Sequence, residues 1–232
     1  MPAPVLTPAL FTFLRNLKRN NTAEWFHAHK ADYEQHVKAP LLAFIEALQP
    51  RMAKVSPRIR VIPKAVGGSL QRLNRDTRFS KDKSPYKTAA SLHFPVEGAG
   101  DLLLGYHLTL APGEGEVLSY YGLWEPDGPA LNAVRSRIIT APGEWKKAAP
   151  RAFRAVHTFK GDSLKRAPKV NGEQVADDHP SIEDLKRKSF AACATLDEKT
   201  ACAPDFLDRY MDTVKAGVPL MQFLCRAVDV KF

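Results

Sequence analysis

Apolar residues recur at helical spacing through the first fifty positions and at a spacing of two thereafter, a change that divides the chain. Thr7-Pro8 reads as an N-cap with proline in the first helical turn, and Leu10, Phe13, Leu14 and Leu17 follow on one face until Asn20-Asn21 stops the element. Asn21, with Glu24 three residues on, matches a capping box for a second helix whose stripe is Trp25, Phe26, His29, Tyr33 and Val37. Pro40 is expected to end or kink that helix, and Leu41, Leu42, Phe44, Ile45 and Leu48 continue the helical period beyond it.

From Gly67 the alternation predicts strands near 69–77, 89–95, 102–110 and 117–124, with Gly98-Ala99-Gly100 and Pro112-Gly113-Glu114-Gly115 turning between the later ones. Connections this short join antiparallel neighbours. Beyond Pro126-Asp127-Gly128, residues 130–139 read as helix, 144–149 as a further turn, 153–159 as a strand and 165–178 as an irregular surface loop. Ser181 to Asp184 cap and start a short helix, 190–196 return to the sheet, and 205–228 are helical with a break at Gly217-Val218-Pro219. The pattern is that of an α+β fold, a central antiparallel sheet of about four to six strands with helices at the N- and C-terminal ends.

At 232 residues and 44% apolar composition the chain can bury a large core, and with no Gly/Ser linker, charge block or repeat it reads as a single domain over 1–232. Within it, 1–50 is the helical part, 67–125 the sheet core and 126–232 a mixed part. No apolar run approaches a membrane span, and the start lacks a basic region followed by an apolar one, so a cytoplasmic protein with no membrane partner is expected. Cys193, Cys202 and Cys225 show no C-x-x-C spacing and read as cytosolic thiols.

Charge changes the picture. Between Arg51 and Leu92 stand eleven Lys and Arg against two acids, Asp76 and Asp82, a surplus of nine that equals the net charge of the whole chain. A local imbalance of this kind suggests a site for an anion. If 72–78 is extended, Arg72, Asn74, Asp76 and Arg78 share one face, while Leu73, Arg75, Thr77 and Phe79 share the other. Two guanidinium forks can then grip a phosphate or carboxylate, with Asp76 orienting one of them. Ser80 to Lys87 is expected to be a loop bringing Lys83, Tyr86 and Lys87 to the rim, Tyr86 as a stacking surface or hydrogen-bond donor.

The run Arg72-x-x-Arg75-Asp76-x-Arg78-Phe79-x-x-Asp82-Lys83-x-Pro85-Tyr86-Lys87 closely resembles the signature of a family of conserved hypothetical proteins, the domain of unknown function 2461 family. The resemblance extends to Phe13-Leu14, Asn20-Asn21, Glu24-Trp25-Phe26, Gly122-Leu123-Trp124, Asp178-His179-Pro180 and Pro204 to Leu207. It implies one unit spanning nearly the whole chain, and no activity.

Enzymatic templates fit poorly: the chain has no G-x-x-x-x-G-K-[ST], G-x-G-x-x-G or G-x-S-x-G. Ser80-x-x-Lys83 and Ser84-x-x-Lys87 match S-x-x-K, but Pro85 argues against the helix that pattern needs. Asp76 with Asp82 is a candidate pair for a divalent ion in phosphoryl transfer, and His107, on the more polar face of its strand, is the candidate general base. His27, His29 and His36 lie on or near the second helix without a ligand set and read as packing, so no metal centre is expected. Trp25, Phe26, Tyr33 and Trp124 read as core, and Lys165-Arg166 and Lys186-Arg187-Lys188 as solvated faces. The residues specify no cofactor.

The leading expectation is an anionic, phosphorylated small molecule or nucleotide bound by Arg72, Arg75, Arg78, Lys83, Tyr86 and Lys87. A second is a nucleic-acid-binding module on the same basic surface. A third is an internal Arg–Asp network with a structural role, which burial of every arginine against a carboxylate would reveal.

Overall fold

In the computed structural model, which describes residues 6–113, 117–153 and 157–232, the N-terminal part is a run of helices packed by the predicted stripes. Helix α1 (Pro8–Arg19) buries Leu10, Phe11, Phe13, Leu14 and Leu17. Helix α2 (Ala23–Ala28) begins one residue later than the capping-box reading, because Thr22 Oγ1, not Asn21, accepts the N–H of Trp25 at 3.2 Å. Helix α3 (Lys30–Tyr33), a π-helical turn (Glu34–Lys38) and α4 (Ala39–Val55) then form one continuous path. Pro40 does not stop it. Ala39 donates to Glu34 O, five residues back, and this widened turn carries the chain past a residue with no N–H to give.

Strands β1 (Ala90–Pro95), β2 (Leu103–Leu110) and β3 (Val117–Trp124) form a meander, followed by helices α5 (Gly128–Thr140) and α6 (Pro142–Phe153). After β4 (His157–Lys160) come the short β5 (Lys169–Val170) and β6 (Glu173–Gln174), α7 (Ile182–Leu185), β7 (Phe190–Leu196), α8 (Glu198–Ala201) and α9 (Phe206–Ala227). The main sheet runs β1-β2-β3-β7-β4, antiparallel throughout. The fold is α+β, as the periodicities require. Among the described residues no helix is long and apolar enough to cross a membrane.

One face of the sheet carries Leu92, Phe94, Leu104, Tyr106, Leu108, Tyr121, Leu123 and Phe190 into the core, where α9 crosses β2 and β3 and packs on α4 and α6. The break expected at Gly217-Val218-Pro219 is absent. Gly and Pro together cost a helix about 4 kcal/mol, but burying Leu220, Met221, Phe223 and Leu224 at roughly 2 kcal/mol each outweighs that. Gly217 is set by contact: a Cβ there would lie 2.6 Å from Cδ2 of Tyr121, so only glycine lets the helix approach the sheet.

Three further elements differ from the periodicity reading. Residues 144–149 belong to the full helix α6, held by Trp145, which packs on Phe190 and Phe223 and donates Nε1–H to Asp184 at 2.7 Å. Of the strand expected over 153–159, Phe153 ends α6, 157–159 join β4, and the rest lies outside the described residues. The loop 165–178 contains the β5–β6 hairpin, whose turn is Asn171-Gly172 with φ of 52° and 86°. Asn-Gly is the strongest two-residue hairpin signal, because both residues tolerate the left-handed region.

The strand expected over 69–77 is reduced to two isolated bridges, Leu70 to Leu92 and Asn74 to Tyr86. Between them the pairing slips by two residues, so that 88–90 stand opposite Arg72 alone. The bulge interrupts the ladder, and the segment lies along the β1 edge without joining the sheet as a full strand.

Candidate functional site

The basic segment leaves the β1 edge as a loop with a hydrogen-bonded neck. Arg75 donates its backbone N–H to Pro85 O at 2.9 Å, and Lys87 donates to Leu73 O at 2.7 Å. Above the neck the loop is built from its own side chains. Asp76 accepts from Nε and Nη2 of Arg78 at 3.0 and 2.6 Å and from the Arg78 backbone at 3.2 Å. Asp82 pairs with Arg75 and accepts from the N–H and hydroxyl of Ser84 at 2.9 and 2.6 Å. Lys83 Nζ donates to Thr77 O at 2.9 Å. These contacts hold both carboxyls below the usual range, Asp82 through Ser84 first and Arg75 second, Asp76 through Arg78.

The arginines are therefore paired, but not internally. The Arg78 side chain is 77% exposed and its partner Asp76 58%, so the arrangement is a surface one. Asp76 and Asp82 accept from different arginines, and among the described residues no group of three His, Cys, Asp or Glu gathers as a metal site. Arg72 and Lys87 are different: both are exposed, and neither side chain has a hydrogen-bond or ion-pair partner among the described residues. The alternation expected along the segment holds from Arg72 to Thr77 and fails at Phe79. There the chain has turned, with Ser80 N–H on Thr77 O at 3.3 Å, and the phenyl ring stands 95% exposed with the Arg78 guanidinium 5.9 Å from its centroid.

Tyr86 does not lie at the rim. It is 5% exposed, its ring stacked on Phe26 with centroids 4.2 Å apart, because the bridge at Asn74 turns it towards α2. Asn21, released from the capping duty expected of it, accepts the Tyr86 N–H at 3.1 Å and donates to Tyr86 O at 2.9 Å. Its amide thereby takes the place of a neighbouring strand. Asn21→Ala is expected to cost about 1 to 3 kcal/mol, two half-buried backbone groups losing their partner, measured by urea denaturation. Asn21→Asp, which keeps only the acceptor, should recover part of the loss. Trp25, Phe26 and Tyr33 pack around Phe13, in keeping with the core role expected of them. His29 stacks on Trp25 at 4.1 Å with Nδ1 2.8 Å from Trp25 O.

The second face of the sheet holds the remaining chemistry. In register across it lie His93, His107, Tyr120 and Cys193, one from each of β1, β2, β3 and β7. The imidazoles are 5.9 Å apart between centroids, and Tyr120 lies 6.3 Å beyond His107. Burial, then the neighbouring His93 and Lys87, push His107 down to about 4, and burial lowers His93 as well. Burial, with Cys193 beside it, pushes the Tyr120 hydroxyl up to about 12. A cavity of about 310 Å³ opens over His93, His107 and Tyr120, lined also by Gln71, Leu103, Gly105, Gly122 and Trp124.

His107 thus sits on the polar face expected for it, but its neighbours are Gln71 and Lys87 of the basic segment; Arg72, Arg75 and Arg78 do not line the cavity. Gln71, His93 and Tyr120 escaped the sequence reading, as did the exposure of Phe79. One signal was available: His93 and His107 are equidistant from Gly100, so a hairpin folded there brings them together.

The fold and loop define an α+β protein with an exposed basic loop beside an open sheet face. The chain belongs to the family described as conserved hypothetical protein (DUF2461), which matches residues 9–223. Comparison with curated proteins and with solved structures gives no match.

Proposed function

We propose that this chain binds an anionic, phosphorylated small molecule or nucleotide at Arg72 and Lys87, with Arg75, Arg78 and Lys83 shaping and charging the loop beside them. The observation that carries this reading is that Arg72 and Lys87 are exposed cations with no carboxylate partner among the described residues, while the neighbouring arginines are already engaged. A guanidinium fork and an ammonium on either strand of the loop neck suit the oxygens of a phosphate, and Lys81 and Lys83 add to the local field. The reading is one of binding. A cytoplasmic setting accompanies it, in which Cys193, Cys202 and Cys225 stay reduced.

The test is calorimetric titration with inorganic phosphate, sugar phosphates and nucleotides, paired with thermal unfolding. A true ligand at 100 times its Kd adds about 2.7 kcal/mol of stability. Arg72→Gln and Lys87→Gln should each weaken binding tenfold or more while leaving the unliganded protein within about 0.5 kcal/mol of wild type, as for surface changes generally. Absence of binding across the panel would sink the proposal.

A second reading, single-stranded nucleic acid on the same loop, is favoured by one observation, the exposed Phe79 flanked by Arg78. It predicts affinity that falls with salt at a slope near −0.7 per phosphate contacted and drops in Phe79→Ala. Small-ligand binding should be indifferent to Phe79.

A further inference from the structure

We propose that the cavity over His93, His107 and Tyr120 is the base-binding half of a nucleotide site, taking a planar nitrogen heterocycle whose phosphate reaches out to Lys87 and Arg72. This rests on the anion-binding reading of those two residues. Four observations point to such a ring.

The first is the walls. Tyr120 and Trp124 contribute aromatic surface, and Leu103, 53% exposed, forms an apolar lip at the mouth. Flat aromatic surfaces of this kind stack on any base with little regard for its identity.

The second is the polar complement. His93, His107 and Gln71 face the same space, and their imidazole and amide groups each offer both a donor and an acceptor. With both imidazoles held neutral by burial at physiological pH, this lining matches the alternating donors and acceptors at the edge of a base. It would serve a phosphate poorly, since no fixed positive charge lines the cavity itself.

The third is size. Small-molecule sites usually enclose about 300 to 1,000 Å³, so about 310 Å³ gives ample room for a planar ring system. The uncharged lining leaves the phosphate to be held beyond it.

The fourth is what stands at the edge. Lys87 is near enough for its charge to lower the proton affinity of His107. Lys87 therefore stands within electrostatic reach of the opening, and from there the ligand's phosphate extends towards Arg72. The floor between the strands is smooth because Gly105 and Gly122 must be glycine. A Cβ at Gly105 would sit 2.4 Å from Phe94 O, and one at Gly122 2.1 Å from Phe190 O.

The experiment compares four nucleosides, their 5′-monophosphates and inorganic phosphate by titration against the full chain, following heat and tryptophan fluorescence. Wild type should bind at least one monophosphate ten times more tightly than phosphate. His107→Leu, and Leu103→Glu at the exposed lip where folding is not at stake, should each reduce that monophosphate to the affinity of phosphate alone. Arg72→Gln and Lys87→Gln should weaken both. If monophosphates bind no better than phosphate, or their advantage survives both cavity variants, the base site is wrong and the anion site stands. If a nucleoside binds in a His107-dependent way while phosphate does not, the cavity is right and the anion reading falls. If nothing binds, both are overturned.

Discussion

Tyr86→Ala is expected to destabilise the protein by about 3 to 5 kcal/mol, the range for removing a large aromatic side chain from a core, and to lower Tm by roughly 10 °C or more. The ring is buried and stacked on Phe26, and the Tyr86 backbone is gripped by Asn21, so its loss opens a cavity where the loop neck meets α2. Tyr86→Phe keeps the stack and should stay within about 1 kcal/mol of wild type, as shape-conserving core changes do. Thermal and urea unfolding read both variants directly. A Tyr86→Ala protein as stable as wild type but unable to bind ligand would return Tyr86 to the rim and remove it from the core.

Acidification should weaken the fold through His107, and the sign follows from where the proton goes first. In the unfolded chain His107 titrates at 6.5, and in the folded protein at about 4, because burial, His93 and Lys87 disfavour the imidazolium. Above pH 6.5 the ring is neutral in both states and the fold has its full stability. As pH falls below 6.5 the unfolded chain takes the proton and the folded one does not, so stability declines until it levels off below pH 4. At about 1.4 kcal/mol per pH unit between the two values, the loss from His107 is about 3 kcal/mol. His93 adds to it in the same direction. Urea denaturation from pH 7.5 to 4 should therefore show a flatter acid limb for His107→Leu than for wild type. Carboxylates titrate in both proteins, so the difference between the curves isolates the imidazole. Parallel limbs would mean that His107 is open to water and that the row over the sheet is not as enclosed as its geometry indicates.

The periodicities alone were enough for the helical N-terminal part, the β1–β2–β3 meander and the α+β class, because amphipathic stripes and short glycine turns act locally. They also located the basic segment, since charge surplus is a property of composition, and they put His107 on a polar strand face. They failed where a local preference met a stronger contact at a distance. Pro219 and Gly217 read as a helix break, yet α9 runs through them because the residues around them are buried on the sheet. Asn21 and Glu24 read as a cap, yet the Asn21 amide holds the Tyr86 backbone, a partner far along the chain.

The same division runs through the candidate site. Sequence by itself determined which residue types gather between Arg72 and Lys87 and that they outnumber the acids nearby. Only the tertiary structure decided their occupations: Arg75 and Arg78 paired, Tyr86 inside, Phe79 outside, Arg72 and Lys87 without a partner among the described residues, and His93, His107 and Tyr120 aligned across three strands. The physical reason is register. A side chain's partner in a sheet or across a loop neck is set by which backbone hydrogen bonds close, and those join residues that no local pattern of polarity relates.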